Sequence, residues 1–110
     1  MNVGQSGSTP IFAGTDLIRL TTGVATAGLT AQQAFDAAIG SAQVTGLGGT
    51  NRTIFVMFYD ITNSRAVIGL VNTDTNPHVE AGDPVTIIGS IAMSASDYAA
   101  FNQNNLEIIA

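Results

Sequence analysis

The chain has no cysteine and no lysine, and its positive charge rests on three arginines, Arg19, Arg52 and Arg65. Without cysteine there can be no disulfide, no zinc–thiolate centre and no thiol nucleophile. Three cations against eight acids leave a formal charge of −5. Nucleic-acid affinity depends on neutralising phosphates, so no nucleic-acid partner is expected, and anionic membrane surfaces are disfavoured for the same reason. Charged residues amount to only 10% of the chain, well below the usual quarter, so Thr, Ser, Asn, Gln and Gly must cover most of the surface. No stretch approaches the roughly 20 apolar residues of a membrane helix, and no membrane insertion is expected. "MNVGQSGSTP" carries neither a positive charge nor an apolar run, so it does not read as a cleavable leader.

What is present fits one domain. The 110 residues are 45% hydrophobic, enough for a single core over residues 1–110. The polar, weakly charged surface suits a β-rich extracellular protein. The expected fold is mainly β, a small β-sandwich or β-roll-like domain of six to eight short strands with two short capped helices. Residues 1–10 read as a loose arm, or as an edge strand ordered by a partner. Such an arm can complete a neighbour's sheet by strand addition and so build a homo-oligomer.

Local patterning places the elements. Ile11 to Leu20 mixes β-branched and apolar residues, as short strands do, and "TTGVATAG" reads as a turn-rich connector. "LTAQQAFDAAIG" predicts a helix. Thr30 caps it, Gln33 reaches back to complete a capping box, and Phe35 and Ile39 share the core-facing side. Gly40 stands where a left-handed stop belongs. The unbroken apolar run Ile54 to Tyr59 predicts a central strand buried on both faces. A hairpin across Asn63–Ser64 is expected to join Ile54–Ile61 to Ala66–Val71. In "PVTIIGSIAM", strict alternation would put Val85, Ile87, Gly89 and Ile91 on one face and Thr86, Ile88 and Ser90 on the other. A second capped helix starts at Ser94, and "LEIIA" reads as a terminal strand. The expected core includes Phe35, Ile39, Phe55, Phe58, Val67, Ile87, Ile91, Tyr98 and Leu106. "LTAQQAFDAA" and "MSASDYAAFN" share a plan of apolar residue, hydroxyl cap, alanine and Gln or Asp at the third helical position, which two ordinary caps explain as well as a repeat does.

The second half, "FYDITNSRAVIGLVNTDT…GDPVTIIGSIAMSASDYAAFNQNNLEII", resembles the C-terminal segments of RTX-type bacterial proteins exported by type I secretion. Phe58, Tyr59 and Asp60 match that family's aromatic strand ending in Tyr-Asp. Ser94, Ala95, Ser96, Asp97 and Tyr98 match its Thr/Ser-Ala-x-Asp-Phe/Tyr motif. The resemblance implies an uncleaved C-terminal export signal, an ABC transporter as partner during export, and a secreted, extracellular or cell-surface destination. Ser94, Asp97, Tyr98, Phe101, Leu106, Ile108 and Ile109 are then the expected anchors of the signal. The family's calcium-binding Gly-Gly-x-Gly-x-Asp repeat is missing, since "GLGGTNR" has no Asp at the right place, so the calcium roll does not carry over. A large passenger, usual before such tails, is also missing, so the chain reads either as an excised tail or as a small secreted protein.

No catalytic constellation stands out, and a non-enzymatic role is expected. His78 lies in the polar loop "NTDTNPHVEAGD", where a solvated histidine is the simpler reading than a Ser-His-Asp site. Asp74, Glu80 and Asp83, with Asn72 or Asn76, offer the hard oxygens that calcium prefers, though not at EF-hand spacing. Their plainer role is to keep a loop polar and a strand edge unpaired. No other cofactor is expected. The alternative function is a self-assembling structural subunit of an extracellular filament, biofilm matrix or surface layer.

Overall fold

A computed structural model describes residues 3–5, 17–40, 53–73 and 79–101. The chain is mainly β with two short capped helices. Five strands, β1 (Val3–Gln5), β2 (Leu17–Val24), β3 (Thr53–Asp60), β4 (Arg65–Asn72) and β5 (Val85–Ala92), form one sheet in the order β1-β2-β3-β4-β5. The helices are α1 (Ala31–Ile39) and α2 (Ala95–Ala99). Among the described residues the strands are not divided between two facing sheets. Helices supply the opposing layers, α1 on one face and α2 on the other.

The sheet is mixed. β1 and β3 both run parallel to β2, while β4 and β5 continue antiparallel. Parallel neighbours need a long crossover, and between β2 and β3 that crossover contains α1. Its start is the predicted capping box: the Thr30 side chain accepts from the Gln33 amide at 3.2 Å, and the Gln33 side chain accepts from the Thr30 amide at 2.9 Å. Its end is Gly40 at φ 60°, a left-handed conformation costly to any residue with a Cβ, and the Gly40 amide closes on the Asp36 carbonyl. Phe35 and Ile39 are buried against Ile18, Leu20, Val56, Phe58 and Val71. On the opposite face Leu17, Met57, Tyr59 and Ala66 pack under Tyr98 and Phe101.

Several expectations need correction. "TTGV" is not a connector: β2 runs on through Val24, its β-branched threonines being well suited to a strand. The β3–β4 loop has four residues, Ile61 to Ser64, so Ile61 leaves the strand and is 56% exposed. Phe58, Val67 and Tyr98 are buried as expected, but Phe55, Ile87 and Ile91 are exposed. Phe55 lies beside Leu17 and Leu70, on the α2 side, where a five-residue helix covers little of the sheet. In β5 the pairing jumps from Ile87↔Gly69 to Gly89↔Ile68, leaving Ile88 as an extra residue. That bulge moves Ser90 onto the Val67 side and Ile91 onto the Ala66 side, which breaks the simple alternation. Leu106 and the "LEIIA" strand lie outside the described residues.

Candidate functional site

The parallel ladder between β2 and β3 breaks in its middle. Arg19 pairs with Met57 and Gly23 with Tyr59, so residues 20–22 of β2 stand against Phe58 alone. A break of this kind leaves backbone carbonyls without their ladder partners, and buried carbonyls need donors. Tyr98 supplies one. Its hydroxyl donates toward the Leu20 carbonyl and also lies 2.9 Å from the Met57 carbonyl. Burial pushes the Tyr98 phenol above its ordinary pKa, with the nearby Arg19 charge opposing.

The local sequence around Tyr98 explains how it arrives there. The Ser94 hydroxyl accepts the Asp97 amide at 3.1 Å and starts α2. One turn then carries Tyr98 and Phe101 inward, where both are buried. The Tyr98 ring meets Tyr59 at a centroid distance of 5.3 Å with planes inclined by 47°. The Tyr59 hydroxyl donates to the Met93 carbonyl at 3.0 Å. The Arg19 guanidinium lies 5.3 Å from the Tyr98 ring centroid, in cation–π range. Arg19 is only 5% exposed, and its Nε–H has no acceptor among the described residues. Arg19, Gly23, Tyr59, Ile61, Ser64, Ala95 and Ala99 are among the residues lining an open recess of about 670 Å³.

A second polar centre lies on the α1 side. Asp60 ends β3 with its carboxylate inaccessible to solvent. It accepts from the Thr26 hydroxyl at 2.7 Å, the Asn63 amide at 3.2 Å, the Asn63 side chain at 2.9 Å and Arg65 Nε at 2.9 Å. Burial alone would raise its pKa, but these donors outweigh it, the Asn63 side chain foremost, and hold the group down at about 2. Asp60 thus pins the β2–α1 connector to the β3–β4 hairpin. A smaller recess of about 310 Å³, bordered by Leu29, Ala31, Phe58 and Ile87, lies beside it.

The acidic loop is only partly described. Asp83 is buried, and its carboxylate accepts the Glu80 amide at 2.9 Å while its own amide donates to the Glu80 carbonyl. This is a turn closed by an aspartate, the plain structural role such residues often have. Asp74, Asn76 and His78 lie outside the described residues. Among the described residues no three His, Cys, Asp or Glu side chains cluster as metal ligands would.

Of the expected export anchors, Ser94 and Asp97 form the start of α2, and Tyr98 and Phe101 are in the core. Leu106, Ile108 and Ile109 lie outside the described residues. Sequence reasoning missed Arg19, whose signal was a lone cation inside the apolar run Leu17–Leu20. It also missed Gln32, whose side chain donates to the Asp83 carbonyl at 2.9 Å and accepts from the Val85 amide at 3.1 Å, tying α1 to the start of β5. Comparison with family models, curated proteins and solved structures finds no match to this chain.

Proposed function

We propose that this chain is a non-catalytic extracellular domain whose C-terminal segment is an uncleaved type I export signal, read by an ABC transporter before the domain folds. The observation that supports this reading is the burial of Tyr98 and Phe101, at 4% and 7% exposure. In the folded domain the aromatic anchors of the Ser94–Phe101 motif are hidden. A transporter that reads those anchors must meet the chain unfolded, and folding outside the cell would then remove the signal from view. The same side chains serve both steps, as export anchors first and as core residues afterwards.

The test is to fuse residues 54–110 to a passenger that is not normally exported, in cells with a working type I system. The passenger is expected in the medium. If it stays inside while the full-length chain is exported, the motif is only a structural device.

A second reading is favoured by one feature of the sheet. Among the described residues β5 pairs only with β4, and it exposes Ile87, Ile88 and Ile91. An exposed apolar edge is a template for strand addition, and at the other edge β1, from the N-terminal arm, pairs with β2 of its own sheet. On this reading the domain assembles with its own copies into an extracellular structure. Sedimentation velocity across a hundredfold range of concentration tests it. Assembly that Ile88→Lys disperses supports it, and a monomer at every concentration rejects it.

A further inference from the structure

We propose that the recess between β2, the β3–β4 hairpin and α2 is a binding site for a monocarboxylate with an apolar body, held by Arg19. The proposal is independent of the export reading.

Its ground is a buried cation without a counter-ion among the described residues. Arg19 sits in β2 opposite Met57, on the α2 face of the sheet. It is 5% exposed, and its Nε–H meets no acceptor among the described residues. A buried charge is costly unless it is paired or hydrogen-bonded. The Tyr98 ring covers one side of the guanidinium and offsets part of that cost, but a π face does not accept the in-plane N–H. The ion pair among the described residues, Arg65 with Asp60, involves a different arginine and ends on the α1 side of the sheet. An acceptor is therefore wanted on the α2 side, where Arg19 borders the recess.

The surroundings of Arg19 set the class of ligand. A guanidinium offers parallel N–H groups in a plane, a fork that fits the two oxygens of a carboxylate. Among the described residues the charge in the recess lining is a single cation, which matches a monoanion better than a phosphate dianion. Much of the remaining lining is apolar or small, Ile61, Ala95, Ala99, Gly23 and the tyrosine rings, with the hydroxyl residues Thr21, Ser64 and Ser94 among it. Few polar groups in an apolar wall is the usual make-up of a small-molecule site, and about 670 Å³ is within its usual size. The interrupted ladder contributes as well, because the extra residues of β2 turn the strand away from β3 beside Arg19.

The experiment titrates the full chain with 3-phenylpropionate, with its neutral amide and with sulfate, followed by calorimetry and by amide NMR shifts. The acid is expected to bind saturably and to move the amides of Gly23, Ala95 and Ala99. The amide of the ligand is expected to bind at least tenfold more weakly, and Arg19→Gln to weaken the acid by a similar factor. Ile61→Glu alters an exposed rim position and so keeps the fold. It places a competing carboxylate at the recess and should also weaken the acid tenfold or more. No saturable binding of the acid at millimolar concentration overturns the proposal. So does equal binding of acid and amide, or binding that neither variant changes. Sulfate binding as well as the acid would reduce Arg19 to a general anion contact and would likewise overturn it.

Discussion

The Tyr98 hydroxyl donates to the Leu20 carbonyl across 78 positions of sequence, at the point where β2 parts from β3. One side chain from a five-residue helix thus repairs a fault in the middle of the sheet. The contact explains why a short helix with little intrinsic stability is held against the domain. It also gives the Ser-Ala-Ser-Asp-Tyr motif a structural purpose.

Tyr98→Phe keeps the ring, and with it the contacts to Tyr59 and Arg19, while removing the donor. Two buried carbonyls then compete for no proton, and the expected loss is about 1–3 kcal/mol in urea unfolding. Tyr59→Phe removes a half-buried bond to Met93 and is expected to cost about 0.5–1.5 kcal/mol. Equal effects would mean that the broken ladder does not need Tyr98. The raised phenol also sets an alkaline limit. Its folded pKa lies above the unfolded value of 10.0, so stability is fully present below pH ~10 and falls as the pH rises beyond it.

Asp60 sets the acid limit. Its folded pKa of about 2 lies below the ordinary value of 3.8. A depressed carboxylate adds stability that is present above the unfolded value and is lost as the pH falls through the folded one. The window is therefore about pH 4 to 2. Arg65 is 43% exposed, which screens that partner, so the contribution is placed at about 1–2 kcal/mol. Asp60→Asn should be less stable than the parent at pH 7. It should also lose the part of the acid dependence between pH 4 and 2 that Asp60 supplies. An unchanged acid profile would assign it to other carboxylates.

Phe58 and Phe55 lie three residues apart in β3 and face opposite ways. Phe58 is 1% exposed between the sheet and α1, whereas Phe55 is 37% exposed. Phe58→Ala should cost about 3–5 kcal/mol. Phe55→Ala should cost about 1 kcal/mol, from the lesser area it withdraws from water. A reversed order by thermal or urea unfolding would mean that β3 is out of register.

These elements show what can be read from a sequence and what cannot. The capping box at Thr30 and Gln33, the stop at Gly40 and the cap at Ser94 are local chemistry, and each stands where the patterning predicts it. The β3–β4 hairpin is nearly as local, and its four-residue loop falls one position earlier than the patterning predicts. The parallel pairing of β2 with β3 was not legible, because nothing in either strand reports that α1 returns the chain to the same end. The Ile88 bulge depends on how β5 meets β4 and reverses the faces expected from alternation. Tyr98 was recognisable within its motif, but its acceptors come from a register shift between two distant strands. In the sequence Arg19 is one of three scarce cations, and only the assembled sheet shows that its Nε–H is buried without an acceptor among the described residues.

The last prediction separates two glycines that sequence patterning treats alike. A Cβ at Gly69 would stand 3.1 Å from the Thr86 carbonyl oxygen and 3.1 Å from a Val85 methyl, beside the β5 bulge. The carbonyl belongs to the paired strand and cannot move without disturbing the β4–β5 ladder. A Cβ at Gly23 would meet the Ile61 Cδ1 and Cγ1 atoms, both at 3.0 Å. That approach is the closer of the two, but Ile61 is an exposed loop side chain that can rotate away. Distance alone ranks Gly23 as the worse site, while mobility of the obstacle ranks Gly69 as the worse. Mobility decides, because overpacking costs energy only where neighbours cannot yield. Gly69→Ala is expected to lose about 1–3 kcal/mol, and Gly23→Ala less than about 1 kcal/mol. The two variants should be compared by urea unfolding at pH 7, with Ile61→Ala made in the Gly23→Ala background. If removing the Ile61 side chain restores more than 1 kcal/mol there, Ile61 is fixed in place and the ranking is reversed.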